Sequence, residues 1–301
     1  MGFGLDPRRD SRDAAGPARQ HPSPLLRYHA PMPPFPDERH VHKKRFGQHF
    51  LHDATILARI VQAIAPKPGE HVVEIGPGDG ALTLPLLRAL GTLTVIELDR
   101  DLIPRLRAAA EGIGEIDIIN ADVLRVDLTR LAAGTPLRVV GNLPYNISSP
   151  ILFHCIEHID AIGDMHFMLQ KEVVERMAAA PGSKVYGRLS VMLQLACHVE
   201  PLIEVPPGAF RPPPKVDSAV VRLRPLPATG RHDADPAAVE RIVRAAFGQR
   251  RKTLANALHG VVEAAAIERA GVDPRTRAEQ LAPAAFVALA RVAALPDNHG
   301  P

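Results

Sequence analysis

The chain has no tryptophan, only two cysteines, and aromatic residues at just 4%. Cys155 and Cys197 lie in apolar surroundings, outside any CxxC spacing and apart from any Cys/His cluster. That pattern excludes a disulfide scaffold, argues against a structural metal and predicts a reducing compartment. The 14 histidines are scattered singly. No uninterrupted apolar run approaches the roughly 20 residues of a membrane-spanning helix. The Met1 end is rich in Arg, Asp and Pro and carries no apolar core of signal-peptide length. Together these absences predict a soluble, cytoplasmic protein that uses neither metal nor membrane.

What is present is ample core-forming material. The 301 residues are 46% apolar and 23% charged, enough for one large domain and a smaller one. The net charge of +3 conceals an asymmetry: residues 1–40 carry +1, residues 41–205 carry −3 and residues 206–301 carry +5. A basic C-terminal part suggests that a polyanion docks there, although a solvated helical surface gives the same count. Residues 1–40 are proline-rich, from Pro7 to Pro36, with almost no apolar periodicity. They are expected to form a disordered tail, with a partner-binding arm as the alternative.

From Lys43 the pattern alternates between short β-branched runs and helical segments. Asp53 is placed to cap a helix with the stripe Ile56, Leu57, Ile60, Val61 and Ile64. Strands are predicted at His71–Ile75, Leu93–Glu97, Ile116–Asn120, Leu137–Val140 and Met165–Leu169. Helices are predicted near Ala81–Leu90, Asp101–Ala110, Ser149–His158 and Lys171–Ala180, the third capped by Ser149 with Pro150 at its first position. This alternation implies a doubly wound, mostly parallel α/β sheet over residues 41–226. Val199–Val205 and Val216–Leu223 read as a hairpin closing one sheet edge. Residues 227–301 then read as a small all-α C-terminal domain, with Asp235 as a cap, Val239, Val243, Phe247, Leu254 and Leu258 on one face, and Gly260 and Gly271 as helix stops.

Three strand ends carry ligand chemistry. Glu74-Ile-Gly76-Pro-Gly78-Asp-Gly80 follows the first strand and opens a helix, where glycines let a backbone approach a nucleotide closely. Glu97, ending the second strand about 20 residues on, can accept the hydroxyls of a ribose. Asp122 follows the third strand and is placed to meet an adenine edge. A glycine-rich turn alone is a weak signal, and NAD dehydrogenases share the glycines and the acid. The fourth strand end discriminates. There Asn142-Leu143-Pro144-Tyr145 offers side-chain and carbonyl acceptors, a proline that removes a competing donor, and a flat ring on which a base can stack. Alone it reads better as a turn with Tyr145 in the core. Beside the other three strand ends it suits an exocyclic amine facing a sulfonium methyl donor.

With these residues in view, the sequence closely resembles the KsgA/RsmA family of rRNA adenine dimethyltransferases between about Lys43 and Leu295. The resemblance rests on Arg45-Phe-Gly-Gln-His-Phe-Leu51, Glu74-Ile-Gly-Pro-Gly78, Val95-Ile-Glu-Leu-Asp99, Gly141-Asn-Leu-Pro-Tyr-Asn-Ile147, Met168-Leu-Gln-Lys-Glu-Val173, Tyr186-Gly-Arg-Leu-Ser190, Phe210-Arg-Pro-Pro-Pro-Lys-Val-Asp-Ser-Ala219 and Phe247-Gly-Gln-Arg-Arg-Lys-Thr253. It implies a Rossmann-like class I S-adenosylmethionine-dependent methyltransferase with a small all-α C-terminal domain. The implied reaction is dimethylation of two adjacent adenosines near the 3′ end of 16S rRNA in the small ribosomal subunit, by a monomer. By the same resemblance His49, Leu51, Gly76, Gly78, Glu97, Asp122 and Asn142 would bind the donor, and Asn142, Leu143, Pro144 and Tyr145 with Phe210 would hold the target base. Arg244, Arg250, Arg251 and Lys252, with Arg241, are candidate phosphate contacts, although a charge run on a helix is more often a solvated face. Position 49 departs from the family's usual Asn. The alternatives are an Erm-type methyltransferase of large-subunit rRNA and an assembly factor whose binding outweighs its catalysis.

Overall fold

The computed structural model describes residues 49–231 and 233–294. The proline-rich 1–40 segment and the Arg45–Gln48 part of the first motif lie outside the described residues. A short ribbon pairs β1 (Phe50–Leu51) with β8 (Phe210–Arg211). The main sheet holds β2 (Val72–Ile75), β3 (Thr92–Glu97), β4 (Glu115–Asn120), β5 (Leu137–Asn142), β6 (Ile162–Gln170), β7 (Cys197–Val205) and β9 (Ser218–Pro225), in the order β4-β3-β2-β5-β6-β9-β7. Pairings from β4 to β6 are parallel, and β9 is antiparallel to both β6 and β7. The expected hairpin thus closes the sheet edge, with β9 inserted between β6 and β7.

Helices α1 (Ala54–Ile64), α2 (Thr83–Leu90), α3 (Ile103–Ala110), α4 (Leu128–Ala132), α5 (Ser148–Glu157), α6 (Lys171–Met177) and α7 (Arg188–Ala196) accompany the sheet. Asp53 caps α1 as its sequence position predicts, its Oδ1 accepting from the Thr55 and Ile56 amides at 2.9 and 3.0 Å. The α5 start differs from expectation. The helix begins at Ser148, Ser149 caps nothing, and Pro150 is the third helical residue. The Ser148 hydroxyl instead donates to the Tyr145 carbonyl, so the turn after Tyr145 feeds directly into α5.

Burial divides the core into a cluster running from Val73 and Val139 to Leu223 and another from Leu57 and Leu86 to Val220. Both contain alternate residues of the same strands, as a sheet covered on two faces requires. Cys155 and Cys197 are free and buried, and burial pushes both thiols up to about 12. They behave as small apolar core residues.

The C-terminal helices are α8 (Pro236–Gly248), α9 (Leu254–Ala257), α10 (Ala264–Arg269) and α11 (Pro283–Ala294). The stripe read as one face is split: Val239, Val243 and Phe247 belong to α8, whereas Leu254 opens α9 after a turn at Gln249–Lys252. Asp235 caps α8 through its side chain, and Gly260 and Gly271 take positive φ angles of 76° and 74°. Leu254 and Leu258 still join the same buried cluster, which also takes in Tyr186 and Val191 from before α8.

Candidate active site

The carboxyl ends of β2, β3, β4 and β5 open on one cavity of about 370 Å³, the place where open α/β sheets bind ligands. Its lining includes Gly76, Gly78, Glu97 and Asp122, from the ends of β2, β3 and β4, and His49, Leu51 and Asn142 to Tyr145. Every predicted donor-binding residue therefore meets there. The loop after β2 needs its glycines: Gly78 has φ of 58°, and a Cβ on it would stand 3.0 Å from the Phe50 ring. Gly141 is required for a different reason, since a Cβ there would sit 2.5 Å from the Ile75 carbonyl of the adjacent strand.

Backbone bonds fix the acidic side. Glu97 accepts from the Gly78 amide through Oε2 at 3.2 Å and from the Asp99 amide through Oε1 at 2.7 Å. Burial raises its carboxyl above the usual range, and these two bonds oppose the rise. Asp122 Oδ1 accepts from the Leu124 amide at 3.0 Å, leaving Oδ2 outside that turn. Asn120 ties β4 to β3 by donating to the Glu97 carbonyl at 2.7 Å.

Two cavity residues escaped the sequence reading. Glu74 is 1% exposed, its Oε2 has no hydrogen-bond partner, and burial, reinforced by Glu97 and Asp79, pushes its carboxyl up to about 8. His166 lines the same cavity and is held by burial at about 4, hence neutral. The available signal was a lone ionisable residue inside each apolar strand run, Val-Val-Glu74-Ile and Met-His166-Phe-Met.

The Asn142 side is assembled from distant segments. Asn142 Nδ2 donates to the His49 carbonyl at 3.0 Å, which uses one of the amide's two N–H donors, fixes its orientation and leaves its Oδ1 acceptor uncommitted among the described residues. This contact uses main chain at position 49 and does not depend on the side chain there. The His49 Nδ1 donates to the Pro212 carbonyl at 2.8 Å, and its ring stacks on Tyr145 with centroids 5.6 Å apart and planes 29° from parallel. The Tyr145 hydroxyl meets Ser218 Oγ at 2.6 Å. Leu143 donates its amide to the Met168 carbonyl at 3.1 Å.

Phe210 is not brought into the cavity. It is 2% exposed and packed in the sheet-side core, with its backbone paired to Leu51. Tyr145 finds its ring partner in His49 instead. The basic candidates also lie apart from the cavity lining. Arg244 is exposed on α8, while Arg250, Arg251 and Lys252 occupy the turn before α9. Arg250 is engaged within the fold, its Nε donating to Glu279 at 3.0 Å and its guanidinium also reaching the Lys184 carbonyl.

Comparison with known proteins bears on this geometry. Residues 39–295 match the family model described as ribosomal RNA adenine dimethylase. The chain belongs to the ribosomal RNA adenine dimethylase family. It is accordingly an enzyme of the α/β methyltransferase class, an rRNA adenine dimethyltransferase. Among curated dimethylases, "Ribosomal RNA small subunit methyltransferase A" of Xanthomonas campestris pv. campestris is 65% identical over 250 residues, spanning 83% of this chain and 95% of that protein. Of solved structures, a dimethyladenosine transferase from Plasmodium falciparum superposes with a TM-score of 0.69 at 27% identity, covering 80% of this chain and 96% of that one. The 23S rRNA methyltransferase ErmE superposes with a TM-score of 0.62 at 28% identity, covering 81% and 98%. The dimethylase fold is thus shared with enzymes of both ribosomal subunits.

Proposed function

We propose that this dimethylase transfers methyl groups from S-adenosylmethionine to N6 of two adjacent adenosines near the 3′ end of 16S rRNA, acting as a cytoplasmic monomer on the small ribosomal subunit during its biogenesis. The observation that carries the reading is the pinned amide of Asn142 beside the Tyr145 ring, in the cavity that Glu97 and Asp122 also line. The 65% identity to a small-subunit methyltransferase favours that subunit over the large one.

The residues present fit the donor. The cavity lies within the range of small-molecule sites, roughly 300–1,000 Å³, and its carboxylates suit a cationic ligand. Glu97 and Asp122 would take the adenosine part, while Gly76, Gly78 and the His49–Leu51 segment would enclose the remainder. When bound, the donor supplies an electrophilic methyl group on a sulfonium.

The chain's own residues do the positioning. An adenine amine is a weak nucleophile because its lone pair is delocalised into the ring. Asn142 Oδ1 and the Leu143 carbonyl would accept hydrogen bonds from its two N–H groups, which favours a pyramidal nitrogen with the lone pair free, and the acidic N–H of the methylated product then gives its proton to solvent. Tyr145 fixes the plane of the base by stacking, and Pro144 keeps a competing amide donor away. Alignment of this kind can supply on the order of 7–11 kcal/mol of a barrier without a strong base. The target must be single-stranded or flipped out to enter. Arg244, Arg251 and Lys252 supply sequence-independent phosphate contacts away from the cavity, with Arg250 the least free of the group.

The deciding experiment incubates the enzyme with unmethylated small subunits and labelled donor and maps the modified nucleotides. Adjacent dimethyladenosines near the 3′ end are expected. Modification only of large-subunit rRNA, or binding without label, would replace this reading by the Erm-type or the assembly-factor one.

A further inference from the structure

The cavity is acidic while the surface beside Tyr145 carries uncommitted positive charge. Asp79, Glu97, Asp99 and Asp122 line the interior, so a polyanionic strand approaching it is repelled unless cations stand at its mouth. Many basic side chains are already engaged. Arg138 bridges Glu70 and Asp164, Arg222 binds Glu200, Arg188 binds Glu240, Lys171 binds Glu204 and Arg250 binds Glu279.

Arg211 and Lys215 differ. Both are exposed, and among the described residues neither side chain makes an ion pair or hydrogen bond. They stand on the segment Arg211-Pro212-Pro213-Pro214-Lys215-Val216-Asp217, which is fastened to the base side of the site. The Pro212 carbonyl accepts from His49, the Asp217 carbonyl accepts from the Lys171 amide at 2.9 Å, and Ser218, the next residue, holds the Tyr145 hydroxyl. The segment's one carboxylate, Asp217, makes no ion pair with either cation among the described residues. Three consecutive prolines fix φ along it, so the charges are placed in advance and little chain entropy is lost when they are used.

We propose that Arg211 and Lys215 form a phosphate clamp that holds the phosphodiesters flanking the target adenosine, so that its base enters beside Tyr145. The proposal rests on reading the substrate as RNA. It differs from docking by the C-terminal helices in that it acts at the cavity mouth and is mechanically tied to Tyr145 and His49. Being made to phosphates, the contacts carry no sequence information, and they offset the repulsion of the acidic interior.

The test measures binding of the wild-type enzyme and an Arg211→Ser, Lys215→Ser double variant to unmethylated small subunits across a potassium chloride series, with steady-state methyl transfer alongside. Each single-strand phosphate contact contributes about 0.7 to the slope of log affinity against log salt, so losing two makes it shallower by about 1.4. A rise in KM of roughly tenfold is expected, with the loss falling on KM rather than kcat and donor affinity, measured by calorimetry, unmoved. An Arg88→Ser, Arg130→Ser control removes the same charge from two exposed positions on α2 and α4 and is expected to leave the slope and KM unmoved. An unaltered slope and KM in the double variant, or an equal change in the control, overturns the clamp alone. Absence of methyl transfer by the wild-type enzyme overturns the RNA reading and the clamp with it.

Discussion

The two walls of the cavity are built by different means. On the donor wall, Glu97 ends β3, Gly78, Asp99 and Asp122 sit on turns after their own strands, and the Glu97 and Asp122 carboxylates accept from nearby amides. On the base wall, Asn142 is held by position 49, His49 by position 212 and Tyr145 by position 218. One wall is assembled by the sheet itself, the other by side chains reaching across the chain. On the proposed reading, a site of this construction separates two duties: local geometry would hold a common cofactor, and long-range contacts would set the position of a particular substrate.

Substitutions on each wall test that separation. Asn142→Ala gives the largest effect. Removing a preorganised polar group of this kind costs about 2.7–4 kcal/mol, or 10²–10³ in rate, and the loss is read by single-turnover methyl transfer, with calorimetry showing a much smaller change in donor affinity. Equal losses in both would erase the distinction between the walls. Glu97→Ala should do the reverse, weakening donor binding by about 1.5–3 kcal/mol, the range for hydrogen bonds to a charged group, while saturating donor recovers most of the turnover.

The next effect is one of pH. Glu74 has a folded value of about 8 against 4.5, so between those limits the folded state binds the extra proton and stability falls as pH rises. The contribution is intact below about 4.5 and gone above about 8. Each pK unit is worth about 1.4 kcal/mol, so thermal melts at pH 5 and pH 8 should show wild type losing at least that much relative to Glu74→Gln. Parallel melting curves would mean that Glu74 is ionised in the folded protein. Ser218→Ala is the mildest, costing about 1 kcal/mol of stability for the lost hydrogen bond to Tyr145. Turnover should fall a few-fold in a rapid-quench assay, with donor affinity held.

The same division decides what was legible in the sequence. The strands up to β6, the Asp53 and Asp235 caps and the donor residues were readable because each depends on neighbours within one strand, turn or helix. The base wall was readable only as a motif. Nothing within Asn142–Tyr145 indicates that position 49 would turn its amide, or that Tyr145 would reach Ser218. Phe210 was expected in the cavity and lies in the core because its strand pairs with Leu51, a partner 159 positions away in sequence. Glu74 and His166 were hidden inside apolar runs, where a buried strand and a cavity floor share one pattern. Arg250 looked free because its partner, Glu279, lies beyond two intervening helices.

The hydrogen bond between Tyr145 and Ser218 also has a consequence for synthesis. A growing chain acquires the Gly76 turn, Glu97 and Asp122 early and can build the donor wall from what has already emerged. The substrate wall stays open until residue 218 has cleared the tunnel and β8 and β9 have found their places. A chain stopped short of that point has much of the donor wall but no means of presenting an adenosine to it. On the proposed reading of the site, such fragments lack the contact that positions Tyr145, and with it the means of modifying the machine that makes them.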